Sequence, residues 1–264
     1  MLELYHSGTS VCAAKVRLAL AEKQVAWTGH YLDILVGEQF APAYLKLNPK
    51  AVVPTLVHDG FVVRESTVIN EYIDETFPAP PPLRPAPAAG RAEMRLWTKL
   101  VDEEVHPACI IVTFVASHRF TVMDGGPENV ARFIDKAPNP MQRARRRAWI
   151  EGGFEAPEVG AALHAYDKVL QQMEDALADR PWLAGDGYTL ADIAMVPYVN
   201  RFAMIGLSHR WEGLRPRLAD WFARVRARPS FEAGIYAHMP AKAREEMERN
   251  ALRAAPRLNA LLAA

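Results

Sequence analysis

At 264 residues the chain is longer than one compact core usually fills at roughly 100–200 residues per domain, so two domains are expected. Hydrophobic residues make up 50% and charged residues 23%, a globular composition that excludes intrinsic disorder. Lys plus Arg and Asp plus Glu both number 31, and a zero net charge offers no field to gather nucleic acid or an anionic membrane.

Two cysteines, Cys12 and Cys109, stand far apart without a C-x-x-C pair. That argues against a disulfide framework or zinc ribbon and for a reducing, cytoplasmic setting. The most apolar stretch, around Ala108 to Ala116, is shorter than the roughly 18 residues of a membrane span, and the chain goes straight into Leu2-Glu3-Leu4-Tyr5, so neither export nor membrane insertion is expected.

In chain order, Leu2 to Tyr5 alternates like a strand, and Ala13, Val16, Leu18, Ala19 and Leu20 recur with helical spacing. A second strand is expected at Trp27–Leu32 and a second helix at Gln39–Leu47, stopped by Asn48-Pro49 because a residue before proline disfavours the helical region. Thr55–His58 and Phe61–Arg64 flank Asp59-Gly60, a dipeptide that supplies the positive φ angles of a two-residue hairpin. From Ser66 a helix carries Val68, Ile69, Tyr72, Ile73 and Phe77 on one side until Pro78. The order is βαβαββα: helical crossovers join parallel strands and the hairpin supplies an antiparallel edge.

Residues 79–90 are too rich in proline for helix or ladder and form an extended connector, dividing a first domain (1–78) from a second (91–264). Beyond Gly90 the pattern is helical throughout, with Met94, Trp97, Leu100 and Val101 on one stripe and Leu163, Tyr166, Val169, Leu170, Met173 and Leu177 on another. Thr189-Leu190-Ala191-Asp192 has the form of a capping box, with Tyr188 and Ile193 placed as its hydrophobic staple.

Leu4-Tyr5-His6-Ser7-Gly8-Thr9-Ser10 with the following Lys15–Leu20 helix, Asn48-Pro49 through Val53-Pro54-Thr55-Leu56, Glu65-Ser66-Thr67 after the hairpin, and Tyr188–Ala194 together resemble the soluble glutathione transferase superfamily over nearly the whole chain. The region Ser66–Glu103, with Leu83-Arg84-Pro85 and Arg91–Lys99, is also similar to the bacterial lignin β-etherases of that superfamily, whereas Arg119–Gly153 has no clear counterpart. The resemblance implies a thioredoxin-like α/β domain that binds glutathione, an all-α bundle that binds an apolar electrophile, and a homodimer formed along the junction of the two halves.

The chemistry then concerns a thiol. With an intrinsic pKa of about 8.5, only a few per cent of glutathione is thiolate near neutrality. A donor aimed at the sulfur and the positive end of a helix both favour the anion, each tenfold gain being worth about 1.4 kcal/mol. By resemblance Ser10 is that catalytic donor, a role compatible with an ordinary helix N-cap. Tyr5 and Cys12 compete: Tyr5 as a phenolic donor, although it lies in strand sequence, and Cys12 as the nucleophile of a thiol transferase or reductase.

For glutathione itself, the resemblance implies a cis Val53–Pro54 bond that frees the Val53 backbone for the cysteinyl amide, and Glu65 and Ser66 for the γ-glutamyl group. Gln39 and Lys50 are candidates for the glycyl end, although Ala51 and Val52 stand where many relatives carry a polar residue. Trp97, Val101, Pro107, Ile110, Ile111 and Phe114 are apolar residues near the expected second pocket, most of them expected to be bundle core. His106 and His118 are possible polar handles, His58 reads as surface, and the Arg143, Arg145, Arg146, Arg147 run reads as a phosphate patch or a solvated helix face. No H-E-x-x-H, Walker-type loop or G-x-G-x-x-G occurs, so no metal or nucleotide is expected. Ether cleavage, dehalogenation, isomerisation and a non-catalytic binding role stay open beside simple conjugation.

Overall fold

The computed structural model describes residues 1–79, 81–137 and 139–263. The first module follows the expected order: β1 (Leu2–His6), α1 (Val11–Glu22), β2 (Thr28–Tyr31), a 3-10 turn (Glu38–Phe40), α2 (Pro42–Leu47), β3 (Thr55–His58), β4 (Phe61–Arg64) and α3 (Ser66–Thr76). Its four strands lie in the order β2-β1-β3-β4, with β2 parallel to β1 and both other pairings antiparallel. Asp59 (φ 49°) and Gly60 (φ 84°) both take the positive φ that a type I′ hairpin turn requires. This is the thioredoxin-like fold.

Along β1 the alternation buries Leu2, Leu4 and His6 while Glu3 and Tyr5 remain half-buried. Helix α1 is buried on almost every side, because α3 packs on one flank and helices of the second half on the others. Even Lys15 and Arg17 are inside. A helix hydrophobic all round marks a core element, and here that element joins the two halves.

The second half is helical, with no strand among its described residues beyond an isolated bridge between Trp182 and Gly185. Helices α4 (Ala88–Leu100), α5 (His106–Thr113) and α6 (Arg119–Asp124) run into one another through π turns at Val101–Val105 and Phe114–His118. Pro107 accounts for the first turn: it has no N–H, and its ring would press on the carbonyl four residues back. The helix widens, and the His106 amide bonds Val101 instead. Then come α7 (Gly126–Asp135), α8 (Pro140–Gly152), α9 (Pro157–Ala176), α10 (Leu190–Met204), α11 (Pro216–Arg226), α12 (Pro229–Gly234) and α13 (Ala241–Ala263).

The continuous stretch Ala88–Asp124 exceeds the apolar run read from sequence. By length and composition it would span a membrane, with a window of mean hydropathy 1.3, yet 56% of that window is buried, as for a core helix of the bundle.

The capping box forms as expected: Thr189 Oγ1 accepts from Ala191, and Asp192 accepts from the Thr189 amide at 2.9 Å. Asp192 also accepts from the Leu183 amide and Trp221 Nε1, tying three segments to one carboxylate. Helix α4 starts at Ala88, inside the connector read as 79–90, of which Pro80 lies outside the described residues. What remains is strapped down. Lys23 donates to the Ala79 and Pro81 carbonyls and to Asp74, while Asp74 accepts from the Leu83 amide and Arg84. The Leu83 carbonyl in turn accepts from Leu190 of α10 at 2.8 Å.

Candidate active site

Ser10 is the N-cap of α1, with extended backbone (φ −76°, ψ 119°) and Oγ accepting from the Ala13 amide at 3.2 Å. The oxygen is engaged as an acceptor, so the hydroxyl hydrogen is free to point outward at the positive end of a 12-residue helix. The preceding turn is held by two buried arginines. Arg17 donates to the Ser7 carbonyl at 3.1 Å and to Gly234 of α12 at 2.7 Å. Arg201 of α10 donates to the Thr9 carbonyl at 2.6 Å. Gly8 must be glycine: an added Cβ would lie 2.2 Å from the His238 carbonyl oxygen of the segment packed over this turn.

Arg201 was not singled out from sequence, although Asn200-Arg201 is a polar pair inside the apolar run Ile193–Phe202 and that interruption is a readable signal. Its guanidinium is buried among Cys109, Tyr166, Tyr198 and Tyr236, and that burial lowers its pKa. Its Nε has no hydrogen-bond partner among the described residues. The half-buried His118 beside it falls to about 3 through desolvation and the Arg201 charge, which favours its neutral form.

Cys12 sits on the first turn of α1, half-buried, with Sγ 3.5 Å from His106 Nδ1 and 3.5 Å from the Tyr198 hydroxyl. Tyr198 Oη and His106 Nδ1 are themselves 3.2 Å apart. Burial alone would push this thiol up. Hydrogen bonding by His106, the nearby Lys15 charge and the Tyr198 hydroxyl outweigh it and bring the pKa down to about 7. Lys15 is fully buried and ion-paired with Asp102 at 3.0 Å. Tyr5 packs within the first module, its ring stacked on His30 at 4.4 Å and tilted against Tyr44.

The remaining candidates include groups at the same end of the sheet as Ser10, since Tyr5 at the end of β1 pairs with Thr55 and Thr55 with Arg64. The Val53–Pro54 peptide is cis. Ser66 is buried and opens the 11-residue α3 as its first helical residue, while Glu65 is the N-cap and holds φ at 66°. Such a conformation costs a non-glycine residue ~1–3 kcal/mol and concentrates at functional sites. Glu65 Oε1 pairs with Lys50 Nζ at 2.6 Å across the surface, an exposed contact that a ligand can replace at little cost. Gln39 is buried, with Nε2 donating to Ile34 at 3.2 Å and Oε1 without a partner among the described residues. Ser66, Glu65, Lys50 and Gln39 thus present a hydroxyl, a carboxylate, a cation and an amide.

A cleft of about 430 Å³ opens beside Thr9 between the two halves, lined by Tyr31, Leu35, Val122 and Phe133 among others. Of the six apolar residues considered for it, Val101 and Phe114 are core and Ile110 is surface, and none lines this cleft. The wall of the cleft on the side of the second half comes from α6, α7 and the start of α13. His58 is also not simple surface, because its Nδ1 meets the Tyr72 hydroxyl at 2.8 Å. Among the described residues no group of three or more His, Cys, Asp or Glu side chains is arranged to hold a metal ion.

Residues 4–81 match the model of the glutathione S-transferase N-terminal domain and residues 144–224 that of the C-terminal domain. Protein LigF of Sphingobium sp. (strain NBRC 103272 / SYK-6) is 32% identical over 237 residues, spanning 88% of this chain and 91% of that protein. The crystal structure of β-etherase LigF from that strain superposes with a TM-score of 0.78 at 30% identity, covering 88% of this chain and 98% of the other. The tetrachloro-p-hydroquinone reductive dehalogenase of Sphingobium chlorophenolicum is 29% identical over 238 residues, 88% of this chain and 94% of its own. Members of the matched family use glutathione as co-substrate. With both halves matched in order and a relative above 30% identity along most of its length, the chain belongs to the glutathione S-transferase family.

Proposed function

We propose that this protein ionises the thiol of glutathione at the N-terminus of α1 and directs the thiolate onto an apolar electrophile held in the cleft beside Thr9. Residues 1–78 hold the tripeptide and residues 91–264 shape the second pocket. The observation that carries the reading is the geometry of Ser10, whose oxygen accepts from Ala13 and whose proton is left to donate. Ser10 is then the catalytic donor, with Glu65 and Ser66 on the γ-glutamyl group, Val53 beside Pro54 on the cysteinyl amide, and Gln39 and Lys50 at the glycyl end. Proximity and a preorganised dipole supply the acceleration.

The likeness to a β-etherase supports aryl-ether cleavage as one form of this chemistry: thiolate sulfur bonds to carbon, the carbon–oxygen bond breaks, and the aryloxide leaves with the electron pair. Ser10→Ala and Ser10→Gly test the reading together. Glycine keeps most of the N-cap contribution and alanine loses about 1 kcal/mol of it, yet both lack the donor. Each should lower kcat/KM by ~10² or more with calorimetric glutathione affinity retained. Full turnover in both variants would end the assignment.

A second reading is favoured by the Cys12, His106 and Tyr198 contacts. A Cys12 thiolate attacks the glutathionyl sulfur of a mixed disulfide, expels the product thiol, and is released by a second glutathione as glutathione disulfide. Cys12→Ser abolishing disulfide reduction while leaving conjugation unchanged would separate it from the first. A protein that binds glutathione but turns over nothing across conjugation, ether-cleavage and reduction assays would be a binding member of the family.

A further inference from the structure

The arginine run on α8, read from sequence as a phosphate patch or a solvated helix face, is solvated at Arg145 and Arg147 and half-buried at Arg143 and Arg146. Arg143 donates to the Ala137 carbonyl at 2.8 Å, and Arg147 borders a separate cavity with Met123 and Ile134. Arg145 and Arg146 instead join Gln142 and Trp149 as one wall of a cavity of about 290 Å³. The opposite wall is Gln39, Phe40, Lys50, Ala51 and Val52 of the first module, and among the described residues no acidic side chain lines the space.

Both guanidinium groups are held in place by aromatic faces. Arg145 lies 4.3 Å above the Trp149 ring. Arg146 lies 4.4 Å above Phe133 and 6.0 Å from Phe40, and it donates to the Phe133 carbonyl. Neither has a carboxylate within ion-pairing distance among the described residues, whereas Lys50 is already matched by Glu65. Two positive charges therefore face the cavity uncompensated. A planar guanidinium with several donors in a fixed fork is suited to a carboxylate. Beside them Gln39 Oε1, without a partner among the described residues, supplies an acceptor for an amide N–H, and an amide followed by a carboxylate is the chemistry of a peptide C-terminus.

Building on the glutathione reading above, we propose that Arg145 and Arg146 form a carboxylate-binding wall closing over the glycyl end of glutathione, so that selection of the tripeptide resides partly in the helical half.

The test is calorimetry on the full chain with glutathione and with γ-glutamylcysteine, which lacks the glycine. Arg145→Met and Arg146→Met keep an unbranched stem over the rings, and near-ultraviolet circular dichroism reports whether packing survives. The wild type should bind glutathione ~10–100-fold more tightly than γ-glutamylcysteine, the range for charged hydrogen bonds. The double variant should lose that margin while its affinity for γ-glutamylcysteine stays put, and Arg146→Lys should recover part of it. Unchanged glutathione affinity in the double variant, or equal losses for both ligands, would overturn the proposal. Intact glutathione affinity with a KM rise confined to carboxylate-bearing acceptors would assign the arginines to the second substrate and overturn it as well. A wild type that binds neither ligand removes the glutathione reading itself, and this inference with it.

Discussion

Ser10 and Cys12 stand two residues apart on one turn and face different company. Ser10 looks to the Ala13 amide, while Cys12 looks to His106 and Tyr198, which are 94 and 186 residues away in sequence. The N-cap is local and was legible. The thiol environment was not, since no nearby residue announces either partner. It makes a measurable claim. Cys12 should exist as thiol below and thiolate above a midpoint near pH 7, so its alkylation by iodoacetamide, followed by peptide mass spectrometry, should rise through that pH. His106→Ala should move the midpoint upward, because burial is then less opposed. Cys109, buried and pushed up by desolvation, should stay unmodified in the native protein. A Cys12 midpoint above 8.5, or one indifferent to His106, would contradict the geometry.

At the scale of elements, the connector between the halves depends on Asp74. Burial of this carboxyl raises its pKa, but the Leu83 amide, Arg84 and Lys23 together hold it below the ordinary value. The folded protein therefore binds this proton less readily than the unfolded chain. The associated stability is fully present above pH ~4 and is lost as pH falls through the lower folded value. Asp74→Ala should cost ~3–5 kcal/mol by urea denaturation, because Lys23 is left charged and fully buried without its partner. A loss below 1 kcal/mol would mean that the strap is incidental. In the same way Gly8→Ala, forced against the His238 carbonyl, should lower stability by ~1–3 kcal/mol and expose the segment around residue 238 to proteolysis sooner than the sheet.

At the scale of the whole molecule, α3 and α4 meet across the junction through the Glu71–Arg95 ion pair. Phe61, Val68 and Leu96 stay exposed on β4, α3 and α4. Large apolar side chains on neighbouring elements at a junction suit a symmetric self-association. Light scattering should give a particle of twice the 29.4 kDa chain mass, and Phe61→Glu with Leu96→Glu should shift it to one chain while each chain keeps its helical content. A monomer in the unmodified protein would remove this expectation.

Much of the protein was decided by short-range rules that a sequence carries openly. The period changes set the βαβαββα module, Asp59-Gly60 set its hairpin, Thr189 to Asp192 set the start of α10, and Ser10 set the start of α1. Tertiary structure alone decided which distant groups would share a space. Arg201 on the Thr9 carbonyl, His106 beside Cys12, and Arg145 and Arg146 opposite Gln39 depend on how α1, α5, α8 and α10 pack. The π turns blur the helical period on which sequence reading depends. Helix starts and turns follow from the backbone needs of a few neighbouring residues, whereas a binding wall follows from the burial of whole helices.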